Sequence, residues 1–126
     1  MVSTGSGALN NASVTFVSRF ENGTGSNPEE LIAAAEAACF SMALANGLSK
    51  DGHTPESIST RATVTLRMDP GGAKVASIHL ETEGKVPGID AATFQAAAEQ
   101  TKTTCPISRL LTPGLEAITL DARLVD

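Results

Sequence analysis

The run Asn27-Pro28-Glu29-Glu30-Leu31-Ile32-Ala33-Ala34-Ala35-Glu36-Ala37-Ala38-Cys39-Phe40-Ser41-Met42 leaves few options for the fold around it. Asn27 suits an N-cap, Pro28 suits the first helical position, where its missing N–H goes unbonded anyway, and Glu30 completes a capping box. A helix therefore starts here. From Leu31 to Leu48 the side chains are apolar or small nearly all the way round, with Glu36, Ser41 and Asn46 as the polar exceptions. Such a helix is expected to be covered by protein on both sides. Its alanines allow a second helix to come close. Cys39 falls about 18 Å from the helix start at 1.5 Å per residue, with its thiol buried or half-buried.

Burial by itself raises a thiol pKa and makes the group inert, and a lone helical cysteine is by default a small hydrophobe. The second cysteine argues against that default. Cys105 directly precedes Pro106, the pattern of an N-cap to a short helix from Pro106 to about Leu111, where backbone N–H groups favour a thiolate. A zinc site from Cys39, His53, His79 and Cys105 has two Cys and two His but lacks closely paired spacing.

Composition removes other classes. With 126 residues the chain reads as one domain, 1–126, of a size that oligomerisation often completes. Its charge of −5, with nine Lys and Arg thinly spread, disfavours nucleic acid, and four Phe offer no base-stacking platform. No stretch free of polar residues is long enough for a membrane span, and no signal peptide with a basic start is seen. A cytoplasmic location is expected, where paired cysteines are more often catalytic or metal-bound than structural.

The rest of the chain alternates strand and helix. Ser13 to Phe20 mixes β-branched and aromatic residues and predicts a strand with Arg19 near its end. Ile58, Thr60, Ala62, Val64, Leu66 and Met68 alternate as the core face of a second strand. Asp69-Pro70-Gly71-Gly72 predicts a turn, and Val75 to Glu83 the returning strand. Asp90 caps a helix to about Thr103, with Ile89 and Phe94 as a hydrophobic staple. Leu115 to Val125 predicts a last strand.

The run from Asn27 to Met42, the Thr-Cys-Pro-Ile-Ser of 104–108 and Val86-Pro87-Gly88-Ile89-Asp90 together resemble the osmotically inducible protein C and organic hydroperoxide resistance family, closest to its first branch. The match extends from about Val2 to the C-terminus. The resemblance implies an α+β fold in which an antiparallel or mixed sheet wraps two central helices of an intertwined homodimer. It also implies a cysteine-dependent peroxidase that reduces organic hydroperoxides, and hydrogen peroxide less well, in defence against oxidative and osmotic stress. No cofactor or metal is implied. Carried over by position, Cys39 is the peroxidatic thiol, Cys105 the resolving one, Arg19 the active-site arginine and Glu29 its carboxylate partner. A dithiol, such as a lipoylated protein, is the implied reductant. Relatives begin with a further N-terminal strand that this chain lacks. If that strand pairs with Ser13 to Phe20, its absence leaves an open sheet edge and a less firmly held Arg19.

Glu29 and Cys39 are ten residues apart on one helix, about 15 Å along its axis. Each site is therefore expected to take Cys39 and Cys105 from one chain and Arg19 with Glu29 from the other. Glu36, three residues before Cys39, would raise the thiol pKa as a carboxylate and is expected to turn away. Phe40, Met42, Leu110 and Leu111 are candidate walls for an alkyl or aryl peroxide, with core packing as the competing role. The other reading is a non-catalytic dimeric module that binds or senses through its thiols; a purely structural domain would tolerate loss of both cysteines.

Overall fold

The structure, a computed structural model, describes residues 1–15 and 24–126. The strand expected from Ser13 to Phe20 therefore lies largely outside the described residues, and so does Arg19. Of its start, Val14 makes an isolated parallel bridge to Ser26.

The long helix, α1, spans Pro28–Lys50. Asn27 caps it, its Oδ1 accepting from the Glu30 N–H at 2.8 Å, and Pro28 takes the first position. The reciprocal half of the expected capping box is displaced by one residue: the Glu30 carboxylate accepts from the Ser26 hydroxyl at 2.8 Å. By length and composition α1 is apolar enough to cross a bilayer, with mean hydropathy 1.5, although Glu36, Ser41 and Asn46 interrupt it. Its packing is that of a core helix, because Glu36, Phe40, Leu44 and Leu48 form a buried stripe at the i, i+4 spacing. Coverage on both sides is not met within one chain. Ala34, Ala35 and Ala38 are exposed, and Met42 is 73% exposed.

Strands β1 (Ser57–Asp69) and β2 (Gly72–Lys85) form an antiparallel hairpin. Only Pro70 and Gly71 separate them, so β2 begins three residues earlier than expected. Gly72, at φ 122°, takes a backbone conformation that side chains resist. The alternation holds from Ile58 to Leu66 and then fails at Met68, which is 67% exposed. The reason is a register shift between Thr65 and Leu66: Thr65 pairs with Ser77 but Leu66 with Val75, leaving Ala76 as an extra residue.

Helix α2 (Ala91–Thr104) starts at Asp90, whose side chain accepts from the Thr93 N–H at 2.8 Å. The short α3 (Pro106–Leu111) follows, then one 3-10 turn at Thr112–Gly114, then β3 (Ala117–Leu124). β3 pairs parallel to β2, giving a mixed sheet in the order β1-β2-β3. A parallel partner needs a crossover, and α2 with α3 supplies it.

The molecule is α+β, with helices on one face of the sheet. Phe40, Leu44 and Leu48 of α1 meet Ile78 and Leu80 of β2 and Phe94 and Ala98 of α2 in one cluster, with Val86 beside them. Burying each of the larger side chains contributes about 1.5–3 kcal/mol. The other sheet face is polar, with Glu83 and Arg123 paired across adjacent strands.

Gly84 shows how closely α2 lies on the sheet. A Cβ there would overlap the Phe94 ring, 2.6 Å from its Cζ, and sit 3.0 Å from Ile58 Cδ1. Gly84→Ala is expected to lower stability by about 1–3 kcal/mol. Urea unfolding at constant m-value measures this; an unchanged midpoint would mean that α2 packs more loosely than described.

Candidate active site

Two local rules bring the thiols together. Pro106 pushes the residue before it out of the helical region, so α2 ends at Thr104 and Cys105 adopts φ −56°, ψ 126°. The same proline starts α3. Cys105 thus joins two helices, its N–H bonded to the Thr101 carbonyl and its own carbonyl to the Arg109 N–H, each at 2.9 Å. The corner aims its side chain inward. Cys105 is fully buried, and its Sγ lies 3.0 Å from that of Cys39. Cys39 follows the core stripe of α1 by one position less than a turn, directly before the buried Phe40, and is half-buried as expected.

Both cysteines are free. Closing the pair requires the sulfurs to approach by about 1 Å, since a disulfide is about 2.05 Å long. That is a side-chain adjustment, not a rearrangement of helices.

Burial pushes the Cys39 thiol up from its ordinary pKa, and the neighbouring Cys105 and Glu36 push it the same way. The backbone N–H of Ile107, at the start of α3, pulls in the opposite direction. The start of α3 thus acts on Cys39. Within one chain it is outweighed by burial.

Glu36 does not turn away. It is fully buried and accepts a short hydrogen bond from the Ser108 hydroxyl. Burial raises its carboxyl pKa, with the Ser108 bond working against the shift. Sequence reasoning placed Ser108 in the 104–108 run but gave it no role. The signal available was the spacing: Glu36 stands one helical turn before Cys39, and Ser108 one turn after Cys105.

Glu29 sits in the first turn of α1, 7% exposed, ten residues from Cys39 and about 15 Å away along the axis. One chain does not bring it to the thiols. Phe40 belongs to the core instead of a substrate wall, and Leu111 packs against that core. Met42 and Leu110 are exposed, at 73% and 71%. His53 and His79 do not join the cysteines: His79 bonds Thr119 and Asp121 on the open face of the sheet. Among the described residues no group of three or more His, Cys, Asp or Glu side chains is placed to hold a metal.

Comparison with known proteins identifies the family and the fold. A family model described as OsmC-like protein matches residues 21–119. The chain is 49% identical over 123 residues to Peroxiredoxin OsmC of Escherichia coli (strain K12), covering 98% of this chain and 84% of that one. It is 34% identical over 87 residues to the organic hydroperoxide resistance protein of Xanthomonas axonopodis pv. citri (strain 306), covering 68% of this chain and 59% of that one. Among solved structures, an organic hydroperoxide resistance protein OsmC from Legionella pneumophila superposes with a TM-score of 0.74 at 24% identity, over 98% of this chain and 87% of that one. At that identity the likeness concerns the fold.

The buried carboxyl has a measurable consequence. Because the folded-state pKa of Glu36 is raised, its contribution is fully present below the unfolded carboxylate pKa and is lost as pH rises through the folded value. Glu36→Gln removes that loss. It is expected to raise the thermal midpoint by a few degrees near pH 8 and to have no such advantage near pH 4. Melting curves across that range check it, and an equal effect at both ends would contradict the assignment.

Proposed function

This chain belongs to the OsmC-like protein family and is a cysteine-based peroxidase, and we propose that it reduces organic hydroperoxides through a Cys39 sulfenic acid and a Cys39–Cys105 disulfide. The observation that carries the reading is the pair of free thiols 3.0 Å apart at the end of a proline-set corner. Hydrogen peroxide is the poorer substrate, and the setting is defence against oxidative and osmotic stress in a reducing cytoplasm.

The steps follow from the two sulfurs. The Cys39 thiolate attacks one peroxide oxygen, the O–O bond breaks, and the alkoxide leaves and takes a proton to become the alcohol. Cys39 is then a sulfenic acid. Cys105 attacks its sulfur, water leaves, and the disulfide forms before further oxidation can occur. An external dithiol, such as a lipoylated protein, restores both thiols and is itself oxidised to a disulfide.

A thiol that burial holds in its neutral form needs a cation to act at neutral pH. Arg19 is the proposed source: its guanidinium would favour the thiolate, bind the peroxide oxygens and steady the departing alkoxide. Glu29 would orient it. Since Glu29 lies about 15 Å along α1 from its own Cys39, each site is read as taking Arg19 and Glu29 from a second copy. The uncovered alanines and Met42 of α1 support an antiparallel, intertwined homodimer, because they leave a flat apolar strip that a second α1 fits.

The purified chain is expected to turn over cumene hydroperoxide faster than hydrogen peroxide with dihydrolipoamide as reductant. Cys39→Ser should abolish turnover, while Cys105→Ser should reduce peroxide briefly and then accumulate sulfinic acid. Absence of turnover in a folded protein whose thiols still oxidise would favour the thiol-sensing module instead.

Arg19→Ala is expected to lower turnover about a hundredfold or more and to move the pH profile of Cys39 alkylation upward. Co-refolding inactive Cys39→Ser and Arg19→Ala chains tests the shared site. Recovered activity is expected, because one mixed site then holds both an intact Cys39 and an intact Arg19; no recovery would place both groups on one chain.

A further inference from the structure

A second contact crosses between the same two helices, one turn away from the sulfurs. Glu36 precedes Cys39 by three residues on α1, and Ser108 follows Cys105 by three on α3. Both side chains are 0% exposed, and the Ser108 hydroxyl donates to Glu36 Oε1. Glu36 Oε2 is buried with no hydrogen-bond partner among the described residues. Packing alone does not account for such a group, because a buried carboxyl carries a desolvation cost that an alanine would avoid.

The element it touches cannot hold itself in place. α3 has six residues, too few to be stable as an isolated helix, and its N-cap makes no side-chain hydrogen bond. Its first turn is tied to α1 by Ser108 on Glu36, and the Ser108 carbonyl in turn accepts from the Thr112 hydroxyl at 2.6 Å. Among the described residues the Glu36 contact is the one side-chain hydrogen bond from α3 to α1, and without it α3 is left with the packing of Leu111 on the core.

We propose that Glu36 is a positioning residue for the resolving cysteine: acting through Ser108, it holds α3 so that the Cys105 sulfur stays against Cys39, and it thereby sets how readily the disulfide closes. The inference rests on reading Cys39 and Cys105 as a redox pair. The bond asks Glu36 for an oxygen acceptor and not for a charge, so Gln should replace it. Leu should not.

The test is equilibration of the whole chain with oxidised and reduced dithiothreitol. In that exchange the two protein thiols give two electrons and two protons to the reagent's disulfide, and the fraction closed is read by thiol labelling and mass. Glu36→Leu and Ser108→Ala are each expected to lower the equilibrium constant for closure about tenfold, from loss of effective concentration at Cys39. Glu36→Gln should stay within about threefold of the parent, a smaller change than the loss of positioning is expected to cause. A folded E36L or S108A chain with the parent's constant overturns the proposal, and so does an E36Q chain that loses as much as E36L. Should E36L not fold, S108A and E36Q decide between them. Because the exchange uses no peroxide, a failure to turn over hydroperoxides leaves this result standing. Conversely, an active peroxidase with unchanged constants would remove the inference alone.

Discussion

The contact between one face of α1 and the sheet is what the rest of the structure depends on. Phe40, Leu44 and Leu48 lie against Ile78, Leu80 and Phe94, and each is at most 1% exposed. Cys39 is bonded in sequence to Phe40, so its position is set by the largest fully buried side chain of the core. The same core fixes α2 through Phe94 and Ala98, and α2 delivers Cys105 at its end. Both sulfurs are therefore placed by rigid elements, and neither depends on a free loop. A pair held at 3.0 Å in this way has already met the proximity requirement of its reaction.

That solution creates an electrostatic problem. The packing that fixes Cys39 also removes water from it, and a thiol without water resists ionisation. The neighbouring Cys105 and Glu36 push its pKa the same way as burial, and the Ile107 backbone N–H opposes them. Among the described residues of one chain the site is thus well arranged for joining two sulfurs and poorly arranged for making a thiolate. This asymmetry is the physical reason to look for a guanidinium supplied from elsewhere.

Legibility of the sequence followed the range of the forces involved. The start of α1 at Asn27-Pro28, the caps at Asp90 and Pro106, and the alternation from Ile58 to Leu66 rest on neighbouring residues, and each was readable. The exposure of Met68 was not, because the bulge at Ala76 lies on the other strand and shifts the pairing there. The displacement of the Glu30 bond to Ser26 depends on where the chain enters the helix, which spacing alone does not tell. Glu36 was misread for a similar reason. Its partner lies 72 residues away, on an element whose position is settled only once α2 has packed. The two cysteines were readable as a pair because each sits in its own strong local signal.

The parallel pairing of β3 with β2 gives the sulfur contact a particular place in the history of the chain. Cys39 and Cys105 are separated by 66 residues, a span that contains the whole hairpin and α2, so their meeting must await long-range assembly. Once made, a covalent link across that span would restrict the unfolded ensemble by about 4 kcal/mol in the chain-entropy account. Each turn of a thiol–disulfide cycle would then alternate the molecule between a more and a less durable form. The oxidised form would resist unfolding best, and the moment of greatest vulnerability would come after reduction, when the enzyme is ready to act again.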